Sequence, residues 1–454
     1  MLVFIFTLAL AVLTFLFILS LQIPDVFKFI LEVLLLGVYS YYLHKRHNIE
    51  YYYGMLMLKT REGLTEIDRV ARNSALWCAF ADMGLVMAFG LSAPLMFRHL
   101  RGRDVAFGLL ALLITALLML PNLYTTAISV IALPYDGTAT ARTAQSDISM
   151  LLAPALVLGI VVLGYMAVIS ISLVYQAASI IISLIQNAVA GAAHNVQPGA
   201  SLLLPGINLP FMEGVLALMF ILFVHEMAHA VLSRVARVRL KSAGILLFGF
   251  IPVGAFVDPD EDILSRKAAH EQARVLVAGS TANFALSFIA IVLLFAVSLV
   301  PLSGLYDTGV TVIAARDGIP LIKGDVILGI DNESFASFQD FVDYKPKMPR
   351  NSTVVVHTLR GDLTVPTDQN GAMGILFQPR INPSYNWYVF IVNFLKLLFA
   401  LNFFVATVNL LPIPLFDGHR LLALGLGARR AWLLAIIAGI VSLALLANIL
   451  PWFI

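Results

Sequence analysis

Long apolar runs separated by short polar stretches dominate the chain. Nine of them approach the roughly 20 residues that a helix needs to cross a bilayer: about 2–21, 26–43, 76–97, 104–121, 150–187, 211–236, 271–300, 385–411 and 431–453. The run at 150–187 is long enough for one tilted helix with an interfacial piece, or for a tight hairpin, so the pattern predicts eight to ten spans. The first run has no basic stretch ahead of it and no clean small-residue cleavage site, and reads as a span rather than a signal peptide.

The stretches between the runs differ in kind. Residues 44–75 are basic and amphipathic, with Lys45, Arg46, Lys59, Arg61, Arg69 and Arg72, which suits a cytoplasmic membrane surface. Residues 188–210 form a Gly/Pro/Asn-containing loop. The segment 243–257 is apolar but too short to span, and Gly244, Gly249, Pro252 and Gly254 disfavour a helix. It is a re-entrant hairpin or an interfacial loop, since non-helical backbone at membrane depth survives only where protein or water satisfies it. Residues 305–381 form the one soluble-looking domain. Short β-rich runs at 309–313, 326–330 and 353–357 are separated there by the turn signals Asp317-Gly318, Asp331-Asn332 and Gly361-Asp362.

Composition agrees with a lipid-solvated chain: 60% of the 454 residues are hydrophobic and 12% charged, against about 25% charged in an average soluble domain. A net charge of +2 gives no support for nucleic-acid binding, which wants a basic face. The single cysteine, Cys78, excludes an intrachain disulfide and a cysteine-cluster zinc site, so any metal chemistry must use His, Asp or Glu.

Such chemistry is encoded in the 211–236 run, as His225-Glu226-Met227-Ala228-His229. Histidines four apart on a helix are separated by one turn and about 40°, so both imidazoles can share a metal. Glu226 is adjacent, placed to act as general base on a water at that metal. The bland reading, a pair of core histidines, is weakened in an apolar helix, where polar side chains are costly unless paired or functional. A catalytic zinc also needs a third protein ligand. The candidate is Asp417, which follows Pro412 and Pro414 at the end of the 385–411 run; an aspartate at a helix-terminal turn is the alternative. Asp82, inside the 76–97 run, has no evident partner and stays open between packing and function. His194 and His270 read as solvated histidines, and His419 as a residue that could orient a ligand.

Taken together, these residues resemble the site-2 protease family of intramembrane zinc metalloproteases. His225 to His229 matches its zinc-helix motif, Asn409 to Gly418 matches its Asn-x-x-Pro…Asp-Gly motif, and Gly279-Ser280-Thr281-Ala282-Asn283 is similar to its Gly-Pro-x-x-Asn element, with Ser280 where proline is usual. Proline at that position would shape a helix start. The resemblance covers roughly 205–454. It implies one zinc ion per chain held by His225, His229 and Asp417, Glu226 as the catalytic base, and Asn283 and Asn409 positioning substrate backbone or the oxyanion. It also implies that 243–257 is a re-entrant β-element whose edge pairs with unwound substrate. Leu321 to Asp331 and Ser337 to Phe341 resemble a PDZ domain, which binds extended peptides by β-augmentation.

The implied architecture is an α-helical polytopic membrane protein with an inserted β-rich PDZ-like domain and a re-entrant β-hairpin. Its parts are N-terminal helices over 1–204, a catalytic core over 205–304 and 382–454, and the PDZ-like domain over 305–381. The implied partners are the lipid bilayer, membrane-protein substrates with a transmembrane segment, and a peptide end for the PDZ-like domain. Arg234, Arg237, Arg239 and Lys241 put the carboxyl end of the motif helix in the cytoplasm, and counting onward puts the PDZ-like domain outside the cell membrane. Arg98, Arg101 and Arg103 disagree with a simple count, which leaves the topology of 1–200 open. Two other functions fit parts of the pattern: a metal transporter, which should show several polar spans or repeats, and a non-catalytic tether acting through the PDZ-like domain.

Overall fold

A computed structural model describes residues 2–21, 25–52, 54–60, 64–131, 139–189, 196, 198–200, 209–316 and 318–453. Most of the expected loop 188–210, with His194, and also Arg61 and Asp317, lie outside the described residues. In chain order the elements are α1 (Leu2–Ser20), α2 (Asp25–His47), β1 (Glu50–Tyr52), β2 (Met55–Thr60), α3 (Leu64–Val70), α4 (Ser74–Phe89), α5 (Ala93–Met96), α6 (Gly102–Ile131) and α7 (Ala139–Val189). They continue with α8 (Phe211–Val235), β3 (Leu240–Phe248), β4 (Ile251–Pro259), α9 (Glu261–Ser265), α10 (Ala269–Ser298), β5 (Tyr306–Ala315), β6 (Val326–Ile330), β7 (Glu333–Ser334) and α11 (Phe338–Tyr344). The last are β8 (Thr353–Thr358), β9 (Gly361–Pro366), β10 (Ile375–Ile381), α12 (Asn386–Asn409), α13 (Asp417–Leu426) and α14 (Ala431–Ile449). Contacts divide the chain into two compact units, the smaller centred on Leu294–Asn393.

Among the described residues, six helical stretches are long and apolar enough to cross a membrane: Ser74–Met96, Val157–Ala188, Phe211–Val235, Ala269–Ser298, Pro383–Asn409 and Ala428–Phe453. Each coincides with an expected run. The runs at 2–21, 26–43 and 104–121 are also helical over their described residues but are not among the six, so the described residues account for six of the eight to ten expected spans. Within α7 the helix breaks at Gly164 (φ 77°, ψ 170°), where the backbone passes close to that of Ala88 and Gly90 at the end of α4. A side chain there would meet the Ala88 carbonyl oxygen at 2.3 Å.

The apolar segment after α8 is a β-hairpin, β3–β4, and it belongs to a larger sheet than the sequence suggested. The sheet has four strands in the order β1-β2-β3-β4, all antiparallel. Leu56 pairs with Leu247 and Lys59 with Gly244, so part of the basic 44–75 segment, expected on a surface, is a strand pair completing this sheet. The hairpin turn is tied to α2, where the Gly249 N–H donates to Ser40 Oγ at 2.7 Å. Strand β4 packs along α8.

Asp82 finds partners far along the chain. It is 4% exposed and accepts two hydrogen bonds from Arg274 of α10 (2.7 and 2.6 Å) and one contact from His99 Nε2 (2.9 Å). His270, expected to be solvated, lies with its ring centroid 5.0 Å from that of His99. This network ties α4 to the start of α10, which favours packing over chemistry for Asp82.

In the smaller unit the strand order is β10-β5-β6-β8-β9, with β7 paired to β6. The three expected β runs correspond to β5, β6 and β8. Ser337 and Asp340 cap α11 reciprocally, the Asp340 N–H donating to Ser337 Oγ (3.3 Å) and the Ser337 N–H to Asp340 Oδ2 (2.8 Å). Helix α11 covers Phe377 of β10, with Phe341 and Phe377 centroids 4.6 Å apart.

Because Asp82 is buried, removing its partner leaves an uncompensated charge. Arg274→Ala is expected to destabilise the detergent-solubilised protein by roughly 3–5 kcal/mol, while Asp82→Leu with Arg274→Met costs much less. Thermal unfolding of both variants checks this, and equal losses would contradict the ion-pair assignment.

Candidate metal centre

Helix α8 carries His225 and His229 one turn apart, and their rings face the same side, with Nε2 atoms 3.1 Å from each other. Asp417 reaches them from the first turn of α13. Its Oδ2 lies 3.5 Å from His225 Nε2 and 3.3 Å from His229 Nε2. The loop before α13 is what delivers it. Pro412 and Pro414 end α12, and Gly418 lets the chain fold back tightly, since a Cβ there would sit 2.2 Å from the Leu410 carbonyl oxygen. Among the described residues, His225, His229 and Asp417 are the one His/Cys/Asp/Glu group whose ligand atoms all lie within 4.8 Å of one another.

The donor set fits a zinc ion. Ligands about 2.0–2.1 Å from a tetrahedral centre lie roughly 3.3 Å apart, and the three separations here are 3.1, 3.3 and 3.5 Å. The tautomers agree as well. His229 Nδ1 is 2.7 Å from the Val275 carbonyl oxygen of α10, to which it donates, leaving Nε2 free as a ligand. Gly279 makes room for this, because a Cβ on it would fall 2.4 Å from His225 Nε2 and 2.5 Å from His229 Nε2. The glycine of the Gly-Ser-Thr-Ala-Asn element is therefore a gap in α10 that the imidazoles fill. Ser280 lies in the interior of α10 rather than at a helix start, so the expected effect on a helix start does not arise.

The two asparagines divide. Asn283, expected to position substrate, is fully buried behind the His225 ring, its side-chain amide 3.1 Å from Nδ1. The near atom is Nδ2, and Oδ1 has no partner; amide nitrogen and oxygen are assigned from the network, and exchanging them would let Oδ1 accept from Nδ1–H and hold the ring with Nε2 toward the site. Asn409, the last residue of α12, lies on the opposite side of the ring, 3.3 Å from Nε2, and is half-buried.

Glu226 points to the sheet. Its Oε2 accepts a hydrogen bond from the Val257 N–H of β4 at 3.2 Å. Val257 is also registered with Ala243 of β3, so this N–H leaves the hairpin on its outer edge. His419 gives its backbone N–H to the Phe416 carbonyl and is not among the clustered residues. The roles of Gly279 and Val275 were missed from sequence. The small residue at 279 was the available signal for the first; the second, a backbone carbonyl, leaves none.

Comparison with known proteins gives a family match and a partial relative. The model of peptidase family M50 matches residues 213–450, slightly more than half of the chain. An uncharacterized protein of Methanocaldococcus jannaschii is 29% identical over 221 residues, which are 47% of this chain and 57% of that protein. The chain thus spans just over half the length of this relative.

Gly279→Ala, which drives a methyl group into both imidazoles, is expected to reduce bound zinc well below one ion per chain, and Asn283→Ala to weaken zinc affinity by roughly 10–100-fold. Metal analysis after dialysis against graded chelator checks both, and unchanged zinc in the two variants would contradict the centre as described.

Proposed function

The chain belongs to peptidase family M50, and from that premise we propose that it is a membrane-associated zinc metalloprotease of the site-2 type. It would hydrolyse peptide bonds within or near the transmembrane segments of membrane proteins. The observation that carries this reading is the convergence of His225, His229 and Asp417 beside Glu226, on a helix apolar enough to cross a bilayer. His225, His229 and Asp417 would hold one zinc ion, which when bound lowers the pKa of its water to about 7 and polarises the scissile carbonyl.

The protein's own groups then have distinct tasks. Glu226 takes the proton from the attacking water and later delivers it to the leaving amine. Asn283 and the Val275 carbonyl hold the imidazoles in orientation. Asn409, on the open side of His225, offers its amide to the substrate carbonyl or to the developing oxyanion. A transmembrane helix must unwind to be cut, and its freed backbone groups need partners. Strand β4 supports such a role. Among the described residues its second edge pairs with no strand, and that edge carries the N–H that meets Glu226. A substrate strand added there would lie alongside the general base.

The smaller unit supports a peptide-binding role of PDZ type. Strand β10 is an edge strand beside α11, the arrangement that accepts an added strand under a helix. Orientation follows the basic residues after α8: that end cytoplasmic, the smaller unit outside. Impermeant thiol labelling of Lys323→Cys but not of Arg430→Cys in intact cells is the corresponding outcome, and the reverse pattern would overturn the orientation.

Glu226→Gln should keep one zinc per chain and lower cleavage of a membrane-embedded substrate in liposomes by about 10²–10⁴-fold; a normal rate would end the mechanism. Asp417→Asn should lose zinc, and full metal content would remove Asp417 from the ligand set. Replacing 307–380 by a short Gly/Ser linker should abolish binding of a substrate's peptide end, while unchanged binding would sink the PDZ-type role.

A further inference from the structure

At the carboxyl end of α8, just beyond the candidate span, four arginines converge on one concavity. A cleft of about 400 Å³ is lined by Asp68, Ala71, Arg72, Arg234, Arg237, Val238 and Arg239, within the roughly 300–1,000 Å³ usual for ligand sites. Its single carboxylate is already engaged: Asp68 of α3 forms a two-pronged pair with Arg234, with Nη2 to Oδ2 at 2.8 Å. The hydrogen bond from Arg234 keeps Asp68 below the usual carboxylate range despite opposing desolvation. Arg69, Arg234, Arg274 and Arg420 of the same unit each have a carboxylate partner. Among the described residues, no ion pair engages the side chains of Arg72, Arg237 or Arg239.

The backbone works to present these groups. Helix α8 ends with the Val238 N–H donating to the Ser233 carbonyl (2.8 Å) and the Arg237 N–H to that of Arg234 (3.0 Å). In this closure the left-handed position is usually glycine, yet Arg237 occupies it at φ 57°. An arginine is thus held where the chain would favour a residue without a side chain, and it lines the cleft.

We propose that this cleft is a binding site for a phosphate-bearing anion, with the guanidinium groups of Arg72, Arg237 and Arg239 as its donors. Arginine suits the planar, two-pronged recognition of phosphate oxygens. The cleft begins at Arg234, the penultimate residue of the candidate span Phe211–Val235, which puts it at headgroup depth and makes an anionic phospholipid the expected source. A bound headgroup would bridge α3 to the end of the helix that carries His225 and His229. The site is independent of the hydrolytic reading.

The full chain in neutral detergent, titrated with short-chain phosphatidylglycerol, phosphatidylcholine or inorganic phosphate while thermal unfolding is followed, tests the proposal. Phosphatidylglycerol should raise the melting temperature saturably and phosphatidylcholine should not. Arg72→Gln with Arg239→Gln should weaken the apparent affinity at least tenfold, as the loss of two surface guanidinium groups implies. Arg72→Lys with Arg239→Lys should restore part of it, and Arg429→Gln with Arg430→Gln should leave it unchanged. An equal response to inorganic phosphate, lost in the same double Gln variant, supports the site with free phosphate as its ligand. Should the double Gln variant respond to phosphatidylglycerol as the unaltered chain does, or phosphatidylcholine act equally, the proposal is overturned. Native mass spectrometry of retained lipid gives a second readout if the Gln variant folds poorly.

Discussion

Two imidazoles and a carboxylate held within 4.8 Å of one another, in a unit built mainly from apolar helices, set the terms for the structure around them. Polar groups in such surroundings are tolerated only when paired or functional, and here neighbouring elements are shaped to keep them convergent. Helix α8 supplies both imidazoles through its pitch. Helix α10 supplies the space at Gly279, the Val275 carbonyl and the Asn283 amide, so one face of one helix fixes ring position, tautomer and orientation. The proline-broken loop after α12 delivers Asp417. The buried Asp82–Arg274 pair anchors α10 to α4 one residue before Val275, which links the packing of the amino-terminal helices to the geometry of the centre.

The four-stranded sheet supplies the other side of the site. A two-stranded hairpin is marginal by itself, and β1–β2 stabilise β3–β4 by taking up the far edge of β3. Among the described residues no strand pairs with the other edge of β4, which packs along α8 and carries the Val257 N–H that meets Glu226.

Much of the centre was legible in the sequence because its signals are local. The spacing of His225 and His229 needs only helical pitch, and the prolines before Asp417 announce a helix end. In the smaller unit, runs such as Val326 to Ile330 between turn residues became strands as expected. What escaped were pairings between distant segments. Nothing near Met55 to Thr60 signals that its partner is Ala243 to Leu247, so a basic segment read as surface became part of a sheet. Asp82 looked solitary because Arg274 lies far along the chain. Asn283 and Asn409 looked alike because both are amides near the motif, yet they meet opposite nitrogens of one ring, a distinction only three-dimensional packing decides.

The central claim is that His225, His229 and Asp417 form one zinc site. X-ray absorption at the zinc edge on the purified, dialysed protein tests it most directly. The account predicts two imidazole nitrogens at about 2.0–2.1 Å, oxygen scatterers at about 2.0–2.2 Å and no sulfur, with one nitrogen lost in His229→Ala. A sulfur scatterer near 2.3 Å, or a zinc spectrum unchanged by His229→Ala, would contradict it.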